Sequence, residues 1–270
     1  MPVNDELGKR MKEFYEQIPK TKLVRRIPVI IRIDGKAFHT FTRGFEKPFD
    51  EILIRSMQNT MRYLCENIQG CVFGYTQSDE ISLVLVDYKT LESGAWFDYE
   101  VQKMCSIAAS MTTMRFNREF QTLVDQYDTV TRENFRRDRD LQAWNYSGDL
   151  RIAYHKSIQK GAMFDARCFN IPKEEVTNCI YWRQLDAIRN SIQMVGQANF
   201  SQKQLQNKSC EDIKKMLIDE KNINWDDLLI YQQRGSSCIK DTEDDRWYID
   251  TSMPILKGDG RSYLENLINF

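Results

Sequence analysis

Residues 28–169 carry strand-type and helix-type patterns in one fixed order, and that order limits the topology more than any bulk property of the chain. From Pro28 the chain reads Val29-Ile30-Ile31-Arg32-Ile33-Asp34-Gly35, a β-branched run closed by a turn dipeptide. This predicts a mostly buried strand with Asp34 at its carboxyl end. Pro48 and Asp50 then open a helix, with Asp50 as its N-cap and Leu53, Met57, Met61, Leu64 and Ile68 spaced as one apolar stripe that should cover a sheet. Cys71 to Tyr75, the polar turn Thr76-Gln77-Ser78-Asp79-Glu80, and Ile81 to Val86 read as a β-hairpin with Asp79 and Glu80 near its tip. A second amphipathic helix runs through Val101, Met104, Cys105, Ala108 and Met111, and a further strand covers Met163 to Phe169.

Strand, helix, hairpin, helix, strand is the split βαβ order of ferredoxin-like folds. It predicts an α+β protein with one antiparallel sheet, two helices on one face and the other face open for a substrate. Beyond Ile171-Pro172 the pattern is helical from Lys173 to about Phe200 and again from Glu211 to Ile218, so residues 172–270 should form a mainly helical part packed on the same core. Asp125 to Asp149 is polar and carries Arg132, Arg136, Arg137 and Arg139. Interleaved acidic residues favour a solvated surface excursion there over a basic contact patch.

Lys and Arg number 38 against 39 Asp and Glu, so no global positive field exists and any nucleic-acid site must be a local patch. Seven cysteines stand in no C-x-x-C pair, which points to reduced intracellular thiols, most of them core residues, rather than disulfides or a zinc site. The start, Met-Pro-Val-Asn-Asp-Glu, has no signal pattern, and no run approaches the ~20 apolar residues of a membrane span. A cytoplasmic location is the expectation.

With two histidines, His39 and His155, and neither an H-E-x-x-H word nor a nucleophile elbow, the chemistry falls to carboxylates. Asp34 at a strand end and Asp79 at a hairpin tip meet if their strands are neighbours, and hard oxygen ligands of this kind suit Mg²⁺, with the Gly35 carbonyl as a third ligand. Two such carboxylates can hold two ions for an in-line displacement. Taken singly, Asp-Gly after a strand is ordinarily a turn, and Ser-Asp-Glu in a hairpin a solvated tip. Lys36, His39, Arg43 and Lys47 follow Asp34 in one loop, either to bind a polyphosphate or simply as exposed, solubilising residues.

Longer words narrow this further. Arg32-Ile33-Asp34-Gly35-Lys36-Ala37-Phe38-His39-Thr40-Phe41 and Gly74-Tyr75-Thr76-Gln77-Ser78-Asp79-Glu80-Ile81-Ser82 resemble the tRNA-His guanylyltransferase family, as do Phe45-Glu46-Lys47-Pro48, Phe164-Asp165-Ala166-Arg167, Trp182-Arg183-Gln184-Leu185-Asp186-Ala187 and Asn222-Ile223-Asn224-Trp225. The likeness is to its bacterial and archaeal guanylyltransferase-like branch of 3′-to-5′ polymerases. It implies a polymerase-palm catalytic domain over residues 1–171, with Asp34, Gly35 and Asp79 binding two Mg²⁺ ions and Glu80 ordering that catalytic site. Nucleotide contacts would fall on Lys36, Ala37, Phe38, His39, Lys47, Ser78 and Lys103.

The implied reaction is adenylylation of a tRNA 5′-monophosphate by ATP, or sometimes GTP, followed by attack of a nucleoside triphosphate 3′-hydroxyl on the activated phosphate. Arg167, Arg183, Arg189 and Arg234 are the candidates for tRNA phosphates, and the resemblance implies a homotetramer. Eukaryotic members carry a His-Ile-Asn-Asn word where this chain has Ile188-Arg189-Asn190-Ser191, which moves the expected task from a single guanosine addition on tRNA-His toward templated repair of 5′-truncated tRNAs. The charged stretch near 125–150 is also longer than the resemblance leads one to expect. A non-catalytic tRNA-binding protein and a nucleotidyl cyclase on the same topology are the alternatives.

Overall fold

A computed structural model describes residues 5–241 and 243–269; residues 1–4, part of the start read above for a targeting signal, lie outside them. The elements are α1 (Asp5–Met11), β1 (Val29–Gly35), α2 (Phe38–Phe41), α3 (Glu51–Asn67), β2 (Cys71–Gln77), β3 (Glu80–Leu85), α4 (Val101–Asp138), α5 (Leu141–Lys160) and β4 (Phe164–Asn170). They continue as α6 (Val176–Asn199), α7 (Gln202–Leu205), α8 (Cys210–Lys221), α9 (Ile230–Arg234), β5 (Ser236–Lys240), β6 (Trp247–Asp250) and α10 (Ser262–Ile268). Six strands form one antiparallel sheet in the order β4-β1-β3-β2-β5-β6. Its first four follow the split βαβ order, which sets Asp34 beside Glu80 of β3 and Asp165 of β4.

Alternation along the strands builds two cores. Ile31 and Ile33 of β1, with Ile81 and Leu83 of β3, face Met57, Met61 and Leu64 of α3 and Met104, Ala108 and Phe116 of α4. Each fully buried aliphatic side chain of this kind contributes about 1.5–3 kcal/mol. Ile30 and Val84 point the other way, with Phe73 and Tyr75 of β2, against Val176 and Ile180 of α6 and Leu264 and Ile268 of α10. The second face, expected to be open, is therefore covered over most of its area. Apolar residues of both parities in β1 and β3 are the physical reason, since a strand apolar on both sides needs two covering layers. Only toward the carboxyl end of β1 does that face turn polar, at Arg32 and Asp34.

Two further expectations gain detail. Besides its helices the C-terminal third supplies β5 and β6, which extend the sheet beyond β2. The charged stretch is a surface excursion of regular structure: α4 runs to Asp138, about 57 Å at 1.5 Å per residue, reverses at Arg139 (φ 55°), and returns as α5 with Asp140 as N-cap. The inner faces of this helical hairpin are aromatic near the sheet. Phe116 and Phe120 of α4 and Tyr154 of α5 close on Phe38, Phe41 and Phe45, so the segment after Asp34 is clamped by ring contacts. Tyr154 also donates a 2.7 Å hydrogen bond to Asp50, whose other oxygen caps α3 at Leu53 N–H. All seven cysteines are free thiols. Among the described residues no helix is long and apolar enough to cross a membrane.

Farther out, the hairpin is joined by Asp128 of α4, which accepts from Arg151 Nε and pairs with His155 Nε2, both of α5 and both at 2.9 Å. Burial alone would raise this carboxyl; the hydrogen bonds from His155 and Arg151 outweigh it and hold the group below the ordinary carboxylate range. A depressed carboxyl stabilises above its unfolded-state value, and the contribution is lost as pH falls through the folded-state value. Asp128→Ala is expected to cost on the order of 2 kcal/mol at neutral pH, read as a lower thermal transition and faster amide exchange across residues 120–156. Unchanged exchange there would remove the pairing from the account.

Candidate functional site

The site lies where the carboxyl end of β1 meets the tip of the β2–β3 hairpin. A two-residue turn, Ser78-Asp79, joins β2 to β3, with Ser78 in the left-handed region at φ 49°. Because Asp34 pairs with Glu80 across β1 and β3, this turn places Asp79 next to Gly35. A Cβ on residue 35 would stand 2.8 Å from an Asp79 oxygen and 2.2 Å from the Phe38 ring, so glycine is required there by space. Ser78 Oγ donates to Asp79 Oδ1 at 3.0 Å. Ala37, also left-handed at φ 54°, starts α2, and the Lys36 N–H donates to the Met163 carbonyl at 2.8 Å.

Negative charge accumulates here. Burial first, and then the charges of Asp34 and Glu80, push the Asp79 carboxyl up to about 6 against the hydrogen bonds from Ser78 and its own backbone. Burial, Glu80 and Asp165 likewise raise Asp34, opposed by Arg167 and Arg32. Glu80 is differently placed, because Arg183 of α6 donates to both of its oxygens (Nε 2.9 Å, Nη2 2.8 Å) and Arg32 approaches at 3.3 Å. The expected catalytic trio thus divides into two carboxylates left open and one neutralised by arginine.

Among the described residues no three His, Cys, Asp or Glu side chains form a metal cage. Asp34 and Asp79 with the Gly35 carbonyl still fit Mg²⁺, which is held by one or two carboxylates while water and substrate phosphates fill its other positions. Their mutual repulsion is a deficit of positive charge that a divalent cation would remove.

The other expected residues separate by location. Lys36, Ala37 and His39 are exposed on the segment after Asp34, while Phe38 is buried against Phe116 and Phe164. Lys47 is exposed in the loop before α3, whose Phe49 and Asp50 line a small cavity of about 90 Å³ with Gln77, Ser78, Asn190 and Ser191. Lys103 is not brought to the carboxylates. It lies 4.7 Å over the Phe97 ring in the first turn of α4, beside Cys105, whose thiol meets Cys168, the partner of Ile31 rather than of Asp34.

Of the four arginines expected at tRNA, Arg167 is exposed at the site, 2.9 Å from Asp165 and 3.9 Å from Asp34. Arg189 is exposed and paired with Asp186. Arg183 is 5% exposed and committed to Glu80 and Asp186, a structural role in place of an RNA contact. Arg234 is half-buried, donating through Nε to the Met253 carbonyl at 3.1 Å. Asp165 and Trp182 belong to the site as well and had been assigned no role. Their signal was positional: the register sets Asp165 beside Asp34, and Trp182 precedes the arginine that binds Glu80.

Relatives of the chain are found among known proteins and solved structures. The family model for tRNAHis guanylyltransferase (Thg1) matches residues 8–172. The solved structure of a bacterial tRNA(His) guanylyltransferase-like protein in complex with ATP is 39% identical with a TM-score of 0.79, covering 98% of this chain and all of that one. Another, in complex with GTP, is 35% identical with a TM-score of 0.75, covering 98% and 99%. A probable tRNA(His) guanylyltransferase of Dictyostelium discoideum is 24% identical over 232 residues, 81% of this chain and 77% of that protein.

Replacing Arg183 by Met leaves Glu80 in a mostly buried setting with Arg32 alone. Removing one partner of such a pair costs about 3–5 kcal/mol. Urea denaturation should report a loss of that size, and a loss below about 1 kcal/mol would show that the bridge is not what holds α6 to the strand edge.

Proposed function

The chain belongs to the tRNAHis guanylyltransferase family of nucleotidyltransferases, and we propose that it is a Mg²⁺-dependent 3′-to-5′ enzyme that adds nucleotides to the 5′ end of tRNA in the cytoplasm. The observation that carries this reading is the open Asp34 and Asp79 pair at the carboxyl end of β1, with Gly35 leaving room between them. Bound there, Mg²⁺ would activate an attacking oxygen and neutralise phosphate charge. Asp34 and Asp79, with the Gly35 carbonyl, would hold that ion at the carboxyl end of β1. Lys36, His39 and Lys47 meet the phosphates of the nucleoside triphosphate, and the Ser78 hydroxyl would donate to one of their oxygens by turning its hydrogen away from Asp79.

In the first step an oxygen of the tRNA 5′-monophosphate forms a bond to the α-phosphorus of ATP, and pyrophosphate leaves. In the second the 3′-hydroxyl of an incoming nucleoside triphosphate loses its proton and attacks the activated 5′ phosphorus, releasing AMP. The ATP and GTP complexes of the bacterial relatives support nucleotides as substrates. Templated repair of 5′-truncated tRNA is the favoured task, because Ile188-Arg189-Asn190-Ser191 replaces the His-Ile-Asn-Asn word. That segment faces the site, since Asn190 and Ser191 line the cavity beside Ser78 and Ser191 Oγ accepts from Trp225 Nε1 at 3.0 Å. Dedicated guanosine addition to tRNA-His is the second reading, and a homotetramer is the proposed assembly.

Asp34→Ala and Asp79→Ala are each expected to fold, by circular dichroism and thermal melting, and to lose nucleotide addition about a hundredfold or more. The assay uses a 5′-truncated, 5′-monophosphorylated tRNA with ATP, Mg²⁺ and each nucleotide in turn. Extension that follows the opposing base supports repair, and one untemplated guanosine on tRNA-His alone supports the dedicated role. Wild-type rates in either variant would end the two-carboxylate assignment.

A further inference from the structure

Trp182 is 54% exposed although it stands on the functional face of the sheet. The guanidinium groups of Arg32 and Arg183 lie 5.2 Å and 4.6 Å from its ring centroid. Both arginines are largely buried and both are tied to Glu80, so they hold the ring as a rigid support whose remaining surface is in water. Arg32 precedes Asp34 by two residues on the same side of β1, about 7 Å along the strand. Leu185, one turn on, is also exposed, and Arg189 follows on the same side of α6.

The surroundings of Asp34 and Asp79 are thus two-sided. Lys36 to His39 lie on the α4 side, fixed through the Phe38 contacts with Phe116 and Phe164. Trp182 and Arg32 lie on the α6 side. A reaction that joins a nucleoside triphosphate to an RNA end needs both at one phosphate, and a half-exposed ring backed by cations offers a nucleobase a stacking surface. Arg189 farther along the helix suits a backbone phosphate.

We infer that Trp182 is a nucleobase-stacking subsite, occupied by the 5′-terminal base of the RNA while its phosphate lies at Asp34 and Asp79; the inference rests on the reading of the reaction given above. The other source of a base is the nucleoside triphosphate. The RNA is favoured because Lys36 and His39, two of the candidate triphosphate contacts, lie on the opposite side with the Phe38 contacts to Phe116 and Phe164.

The probe is a 5′-monophosphorylated acceptor-stem hairpin RNA with 2-aminopurine as its 5′-terminal base, run beside 2-aminopurine riboside triphosphate. Wild-type protein should quench the RNA probe severalfold. Trp182→Leu, which keeps an apolar side chain against the two arginines, should abolish that quenching, weaken RNA binding by anisotropy about tenfold, and raise the KM for RNA more than it lowers kcat. Trp182→Phe should retain most of the quenching and tests the idea if the leucine variant does not fold. Quenching and RNA affinity unchanged in Trp182→Leu would overturn the subsite, as would loss of RNA quenching in neither variant. Trp182-dependent quenching of the triphosphate alone would overturn its assignment to RNA. Trp182-dependent RNA quenching by a wild-type protein that adds no nucleotide would leave the subsite standing and remove the reaction instead.

Discussion

The bidentate ion pair between Arg183 and Glu80 decides how charge is distributed at the end of the sheet. Asp34, Asp79, Glu80 and Asp165 converge there through strand register and a two-residue turn. Without compensation, four carboxylates at one strand edge would repel and protonate. Arg183 and Arg32 neutralise Glu80, and Arg167 lies against Asp165 and near Asp34. Asp34 and Asp79 keep negative charge that no bidentate arginine neutralises, which suits a divalent cation and, through it, a polyphosphate. The same bridge adds to the apolar contacts of Val176 and Ile180 that dock α6 over the second face, so one interaction links the covering of the core to the charge balance of the site.

A second constraint acts from the opposite side of the sheet. The segment after Asp34 turns on its own backbone hydrogen bonds, from Thr40 and Thr42 N–H to the Ala37 and Phe38 carbonyls, and is clamped by Phe38, Phe41 and Phe45 against α4 and α5. Close-packed rings transmit little slack. The long helical hairpin therefore supports the phosphate-facing loop, while Lys36 and His39 remain free to face solvent.

The path from β1 to β4 was legible because each element declared its period within a few residues. Val29 to Ile33 and Ile81 to Val86 are β-branched or aliphatic runs, and the α3 stripe from Leu53 to Ile68 has helical spacing under an Asp50 cap. What escaped was non-local. Strands β5 and β6 are four or five residues long, with partly polar sequences, and they exist because they pair with β2 and with each other. The helical hairpin hid behind charge, since its seam is a narrow row at Phe116, Phe120, Val124 and Asp128. At the site, Asp34 and Asp79 were readable from strand order. The burial of Arg183 and the company of Asp165 required the register, and Lys103 was carried over by resemblance to a turn of helix three residues back along β1 from Asp34.

Whether the two open carboxylates hold a cation between them is the point on which the functional account rests. Crystals grown with Mn²⁺ in place of Mg²⁺ and measured at the manganese absorption edge give the most direct answer. The account predicts anomalous density bonded to carboxylate oxygens of both Asp34 and Asp79 and next to the Gly35 carbonyl. Manganese found only on outlying carboxylates such as Asp165, with none between Asp34 and Asp79, would contradict it.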